Sequence, residues 1–156
     1  MLSRHPFFLS LFFLLLLFFQ GLRIMAEALL TGQSFFLGKK FFLFRLHHNP
    51  GISFSLFASS PKALCLLLPA LFCVLGIFFL LHRKHGSPSR LFSFGSLLFL
   101  AGSLSNLGER LFFGYVTDYA GILLPFFGYL FVNLPDLALL LGTALLLVSF
   151  WKTSQG

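Results

Sequence analysis

Only four residues of the 156 in this chain carry a carboxylate side chain: Glu27, Glu109, Asp118 and Asp136. Three of them fall in the short stretch from Glu109 to Asp136. Two carboxylates held close together cannot both ionise cheaply, so one pKa rises and the pair shares a proton. Such a pair suits hydrolysis, because the ionised member can take a proton from water while the protonated member polarises a carbonyl. Other chemistries have less to work with. His47 and His48 have no partners at metal-ligand spacing and read as exposed interfacial side chains. Cys65 and Cys73 share one apolar run, also without ligand neighbours, and read as small hydrophobic side chains. No metal site and no cofactor are expected.

The elements that must position Asp118 and Asp136 follow from composition. The chain is 58% hydrophobic, with 25 phenylalanines and only 10% charged residues, whereas a soluble domain carries about 25% charged residues. So much apolar surface needs a non-aqueous solvent, and about 20 apolar residues make one transmembrane helix. Four spans fit, from Pro6 to Ile24, Ala63 to Leu81, Leu91 to Leu107 and Leu134 to Trp151, in a single domain over residues 1–156. The opening apolar run resembles a secretory signal, but it is too long and lacks a prompt cleavage site, so it reads as a retained span. Between the first two spans a Phe-rich stretch surrounds Asn49, Pro50 and Gly51, a turn signal flanked by short strands. Residues from Phe112 to Val132 hold several glycines and a proline and read as irregular backbone near the membrane surface. Asp118 follows the third span and Asp136 opens the fourth. If those spans are antiparallel neighbours, both acids sit at one membrane face. The alternative is that Asp136 merely caps its helix and Asp118 is a solvated loop residue.

The net charge of +7 comes from basic residues scattered beside apolar spans, a pattern of lipid anchoring and not of nucleic-acid binding. The densest basic cluster at a membrane end is "HRKHGSPSR", which places both termini inside and the regions of Asn49 and Asp118 outside.

Four segments, in order, resemble the lipoprotein signal peptidase (signal peptidase II) family. They are "HNPGISFSLF" from His48, "AGSLSNLGER" (Ala101–Arg110), "VTDY" (Val116–Tyr119) and "VNLPD" (Val132–Asp136). The resemblance implies an all-α membrane protein of four transmembrane helices with a small extracytoplasmic β-like segment between helices 1 and 2. It implies an aspartic endopeptidase, with Asp118 and Asp136 as the catalytic pair, and removal of signal peptides from prolipoproteins by cutting before a lipid-modified cysteine. Asn106, Arg110 and Asn133 match polar residues lining the family's site, and Asn49 and Gly51 match a segment packing over substrate. The implied setting is the bacterial inner membrane, with lipidated prolipoproteins and the bilayer as partners, no nucleic acid, and a monomeric enzyme. Several positions depart from the family pattern. Glu109 stands for an Asp, Thr117 for a Val, Ser105 for a Gly, Val132 for a Phe and Pro135 for an Ala. The first-span segment "FQGLR" has Phe19 where the family has an acid and Arg23 where it has a Lys.

Two rivals make different demands. An ion or proton relay needs polar groups strung through the spans, but the spans are nearly pure Leu and Phe, with polar residues massed at one end. An inactive scaffolding relative would have no need to retain both Asp118 and Asp136, although the missing acid at Phe19 leans that way.

Overall fold

A computed structural model describes residues 5–51, 70–71, 74–75 and 89–154. Three helices and four strands make up these residues, in the order α1 (His5–Leu30), β1 (Phe35–Leu37), β2 (Phe42–Asn49), α2 (Arg90–Phe113), β3 (Val116–Leu124), β4 (Gly128–Val132) and α3 (Leu134–Ser154). All three helices are long and apolar enough to cross a membrane. The expected span from Ala63 to Leu81 lies almost wholly outside the described residues; Ala70, Leu71, Val74 and Leu75 within it are helical. Cys65, Cys73 and most of "HRKHGSPSR" also lie outside them.

Helix α1 runs past the expected end at Ile24, because Met25 to Leu30 are good helix formers, and Gly32 beyond them takes a left-handed conformation (φ 71°). Ser89 caps α2 by accepting from the Phe92 N–H at 3.1 Å, and Gly114 closes it in the left-handed conformation with its N–H on the Arg110 carbonyl. The Ser89 hydroxyl also bonds the Ser149 hydroxyl at 3.0 Å, joining the start of α2 to the end of α3. The two helices are therefore antiparallel neighbours, and their site-bearing ends coincide. Glycines set their closeness. A Cβ on Gly142 would meet the Phe99 backbone nitrogen at 2.5 Å, and one on Gly102 would meet the Pro135 carbonyl oxygen at 2.5 Å. The small residues of α2 thus serve helix packing. Phe19 of α1 is buried against Ala101 and Ala138, while Phe7, Leu14 and Leu17 on the same helix stand mostly exposed, as a lipid-facing surface requires.

The sheet corrects two expectations. Residues from Phe112 to Val132 are not irregular: most of them form β3 and β4, and the strands align antiparallel in the order β1-β2-β3-β4. Their glycines lie where a hairpin wants them, Gly114 at a helix end, Gly128 at the turn (φ 80°), and Gly121 close against the Leu43 carbonyl and the Phe131 ring. The small β segment between the first helices is therefore half of a four-stranded sheet. β2 leads directly into the Asn49–Gly51 segment, and the residues that follow Gly51 lie outside the described ones. The β1–β2 turn is at Gly38–Phe41, where the Phe41 N–H reaches the Gly38 carbonyl, and Asn49 is the last residue of β2.

Candidate active site

The sheet and two helix ends meet at one buried polar cluster. Side chains alternate across a strand, so the paired ends of β2 and β3, with Asn49 opposite Val116 and His47 opposite Asp118, divide into two faces. Asn49 and Asp118 share one, His48 and Thr117 the other.

On the first face, Asp118 is 2% exposed. One of its oxygens accepts from Asn49 Nδ2 at 3.1 Å and the other from Asn133 Nδ2 at 2.9 Å. Asn133 precedes α3 and accounts for that helix's first turn. Its Oδ1 accepts the Asp136 N–H at 2.8 Å, and its own N–H reaches back to Asp136 Oδ2 at 3.4 Å, a reciprocal capping arrangement. Leu134 N–H donates to the Tyr119 hydroxyl at 2.9 Å, and Pro135 has no N–H to satisfy, so the first donors of α3 all find partners. Asp136 Oδ1 accepts from Asn106 Nδ2 at 2.7 Å, and Asn133 Nδ2 also donates to Asn106 Oδ1 at 3.2 Å. Both aspartates are thus tied to one asparagine.

Burial is the main force holding the Asp118 carboxyl well above the usual carboxylate range, at about 7; the nearby Asp136 adds to it, and the Asn49 hydrogen bond and Arg110 oppose it. Asp118 is therefore still partly protonated at neutrality. Burial likewise raises the Tyr119 phenol and lowers the His47 imidazole, which Arg45 and His48 depress further.

Arg110 Nη2 donates to the Gly51 carbonyl at 2.7 Å, and the Gly51 N–H returns to Asn49 Oδ1 at 3.0 Å. The segment after β2 is thereby fastened to α2 by backbone atoms. All seven residues singled out in the sequence, Asn49, Gly51, Asn106, Arg110, Asp118, Asn133 and Asp136, belong to this one connected cluster. Among the described residues no three His, Cys, Asp or Glu side chains converge as metal ligands.

The reverse face holds what sequence reasoning missed. Glu27 lies beyond Ile24, the expected end of the first span, yet not in a connection. It is on α1, and its Oε1 accepts from His48 Nε2 at 2.8 Å and from Thr117 Oγ1 at 3.3 Å. His48, 44% exposed, stacks on Tyr115 with ring centroids 4.2 Å apart. Glu109, only 3% exposed, accepts the Thr117 N–H at 2.8 Å. Two carboxylates thus clamp the residue before Asp118. The one available signal was the scarcity of acids, since none of the four is idle. The departure at Phe19 has a packing account, a ring filling the core. Ser105 accepts from Gln20 Nε2 at 3.4 Å, and Arg23 donates to Gln20 at 3.0 Å while lying over the Phe113 ring at 4.4 Å.

Comparison with known proteins gives these features a context. A model of the family described as signal peptidase (SPase) II matches residues 11–152. A protein of Brucella ovis named lipoprotein signal peptidase is 31% identical over 152 residues, covering 94% of this chain and 91% of its own. The protein of the same name from Brucella canis matches to the same extent. In fold, the chain is similar to a bacterial membrane enzyme with a TM-score of 0.77 at 20% identity, covering 96% of this chain and 90% of that one. A second bacterial membrane enzyme gives a TM-score of 0.74 at 19% identity, covering 95% and 94%.

Proposed function

The chain belongs to the signal peptidase II family, and on that premise we propose that it removes signal peptides from prolipoproteins by aspartic catalysis, cutting before the lipid-modified cysteine. The observation that carries this reading is that the single side chain of Asn133 holds the Asp118 carboxylate and the Asp136 backbone N–H, in a buried cluster at the ends of membrane-length helices.

In this reading the pair shares one proton. Asp118 holds it near neutrality, and Asp136 carries the charge at the first turn of α3, where an anion is favoured. Asp136 takes a proton from a water, whose oxygen attacks the scissile carbonyl carbon as Asp118 passes its proton to the carbonyl oxygen. Collapse breaks the C–N bond, and a proton returns to the leaving amine. Asn49, Asn106 and Asn133 orient the carboxylates, and Arg110 holds the Gly51 backbone over the site. No metal or cofactor takes part.

The wider setting is a monomeric, single-domain protein of four spans in the bacterial inner membrane. Its second span is Ala63 to Leu81, both termini are cytoplasmic, and the aspartates lie at the outer face. The signal helix of the substrate enters laterally from the bilayer. An ion relay is disfavoured by the apolar interiors of the helices, and an inactive scaffold by the intact hydrogen bonding around both acids.

The test is the mass of a lipidated prolipoprotein after incubation with purified protein in detergent. Loss of the signal peptide with the lipidated cysteine as the new N-terminus is expected; an unchanged mass, or a cut elsewhere, overturns the reading.

A further inference from the structure

The end of the sheet farthest from the aspartates has no role in this chemistry, and its composition is unusual. The Gly38–Phe41 turn and the Pro125–Phe127 turn lie side by side. Leu123 N–H donates to the Phe41 carbonyl at 2.9 Å, and the Tyr129 hydroxyl donates to the Lys40 carbonyl at 2.5 Å. Lys39, Lys40 and Phe126 are the only non-glycine residues with positive φ among those described, so every such strained position falls in these two tips. A bulky side chain in that region costs free energy. At Phe126 nothing within the described protein compensates, since its ring is fully exposed and that of Phe127 is 86% exposed. Beside them Phe41, Leu123, Leu124 and Pro125 line an open apolar hollow of about 460 Å³.

Exposed aromatic surface of this kind marks a contact surface, and two observations select the contact. The tips pair rings with cations: Lys40 Nζ lies 5.7 Å from the Phe36 ring centroid, Lys39 adjoins it, and the Arg45 guanidinium lies over Phe131. No acidic residue occurs in the tips or in the strands beside them except Asp118 at the far end. The sheet also grows directly from the ends of membrane-length helices, so the bilayer surface is the apolar phase within reach. Rings at headgroup depth, flanked by lysines, are the chemistry of an interfacial anchor.

We infer that the paired tips Gly38–Phe41 and Pro125–Phe127 are an interfacial anchor that docks on anionic phospholipid, with Phe126 and Phe127 entering the acyl boundary and Lys39 and Lys40 meeting headgroup phosphates. The inference needs only that the helices span a bilayer, and it does not rest on the peptidase reading.

The experiment uses the full chain with Trp151, its one tryptophan, changed to Phe and a single reporter introduced as Phe127→Trp. The protein is reconstituted in phosphatidylcholine vesicles carrying brominated acyl chains, with or without phosphatidylglycerol. Blue-shifted emission quenched by the bromines is expected, with stronger quenching when phosphatidylglycerol is present. Lys39→Gln with Lys40→Gln should remove that increment, each lysine changing the docked-to-free ratio about fivefold, and raised salt should shrink it. Water-like emission without quenching overturns the anchor. Blue-shifted emission without quenching also overturns it, since protein, either a second copy or residues 52–69, then covers the tip. Quenching indifferent to phosphatidylglycerol and to the lysines overturns the headgroup contact. The thermal midpoint in detergent, where no bilayer is present, reports separately whether each variant is folded, and a Phe126→Trp reporter repeats the test from the neighbouring ring.

Discussion

The two ends of strand β3 live in different surroundings. At Val116–Asp118 every side chain is buried, and the polar ones are matched donor to acceptor by Asn49, Asn133, Glu109 and Glu27. At Ile122–Leu124 the strand runs out to bare aromatic rings and lysines. Pairing with β2, shifted in register between Phe44 and His47, runs along both ends, whereas β4 pairs only with Ala120–Leu124. The contrast teaches where precision is spent. At the aspartate end the buried carboxylates and amides are hydrogen-bonded to one another, as a low dielectric demands, and the backbone is pinned from both faces. At the far end side chains are held by little besides the turn geometry, so their job is contact with something outside the protein.

Substitutions can break that contrast at the aspartate end first. Asp118→Asn and Asp136→Asn should each lower the cleavage rate about 10²- to 10⁴-fold, and the double variant should be scarcely worse than either, since paired groups act as a unit. Single-turnover cleavage of a lipidated peptide measures all three. Asn133→Ala comes next. It removes the helix cap, at about 1 kcal/mol of stability, and unlinks the two carboxylates. Cleavage should fall about 10-fold or more through loss of positioning, with only a modest drop in thermal midpoint.

Acidity sharpens the comparison further. Folded Asp118 releases its proton at about 7, against a reference of 3.8. Between those values the native state holds a proton that the unfolded chain has lost, so this contribution to stability is present below pH 4 and disappears as pH rises through 7. The thermal midpoint in detergent should therefore decline over that window, and Asp118→Asn should flatten the decline. Cleavage itself should fall at both pH extremes, because one carboxylate must be ionised and the other protonated.

Milder effects belong to the clamp. Glu109→Gln keeps an oxygen for the Thr117 N–H and should cost less than either aspartate change, about 10-fold in rate at most for one weakened charge-assisted bond. Glu27→Gln should cost less again, because its pair with His48 is largely exposed and such pairs contribute about 0–1 kcal/mol. Parallel rate measurements on the two variants give the ranking, and the reverse order would make the α1 contact the principal one. The smallest change is expected from Phe126→Ala, whose cleavage rate in detergent should match wild type within about twofold, as surface substitutions usually do.

The helices at the site were legible because their signal is strong: long Leu and Phe runs, with Asp136 opening one of them. The aspartates were legible through their scarcity and the short segments around them. β3 and β4 were not. "VTDYAGILL" has the β-branched and aromatic residues of a strand, but Gly114, Gly121 and Pro125 read as loop punctuation, and the pairing that turns such a stretch into a sheet is supplied by β2, far away in the chain. Glu27 was misplaced for a related reason. Polarity ended the apolar run, and helix geometry did not end with it. That Phe19 is a core residue follows only from its contact with Ala101 and Ala138, whose spacing along the chain gives no hint of the meeting.

Three amide side chains hold the two acids, and amides are among the thermolabile side chains. Hydrolysis of Asn49, Asn106 or Asn133 would exchange a donating NH₂ for a carboxylate oxygen, and at Asn133 the newcomer would face the Asp118 oxygen that now accepts from the amide at 2.9 Å. A third negative charge there repels what the amide once joined. Conversion of Asn133 to an aspartate would therefore disable the pair with the helices still in place.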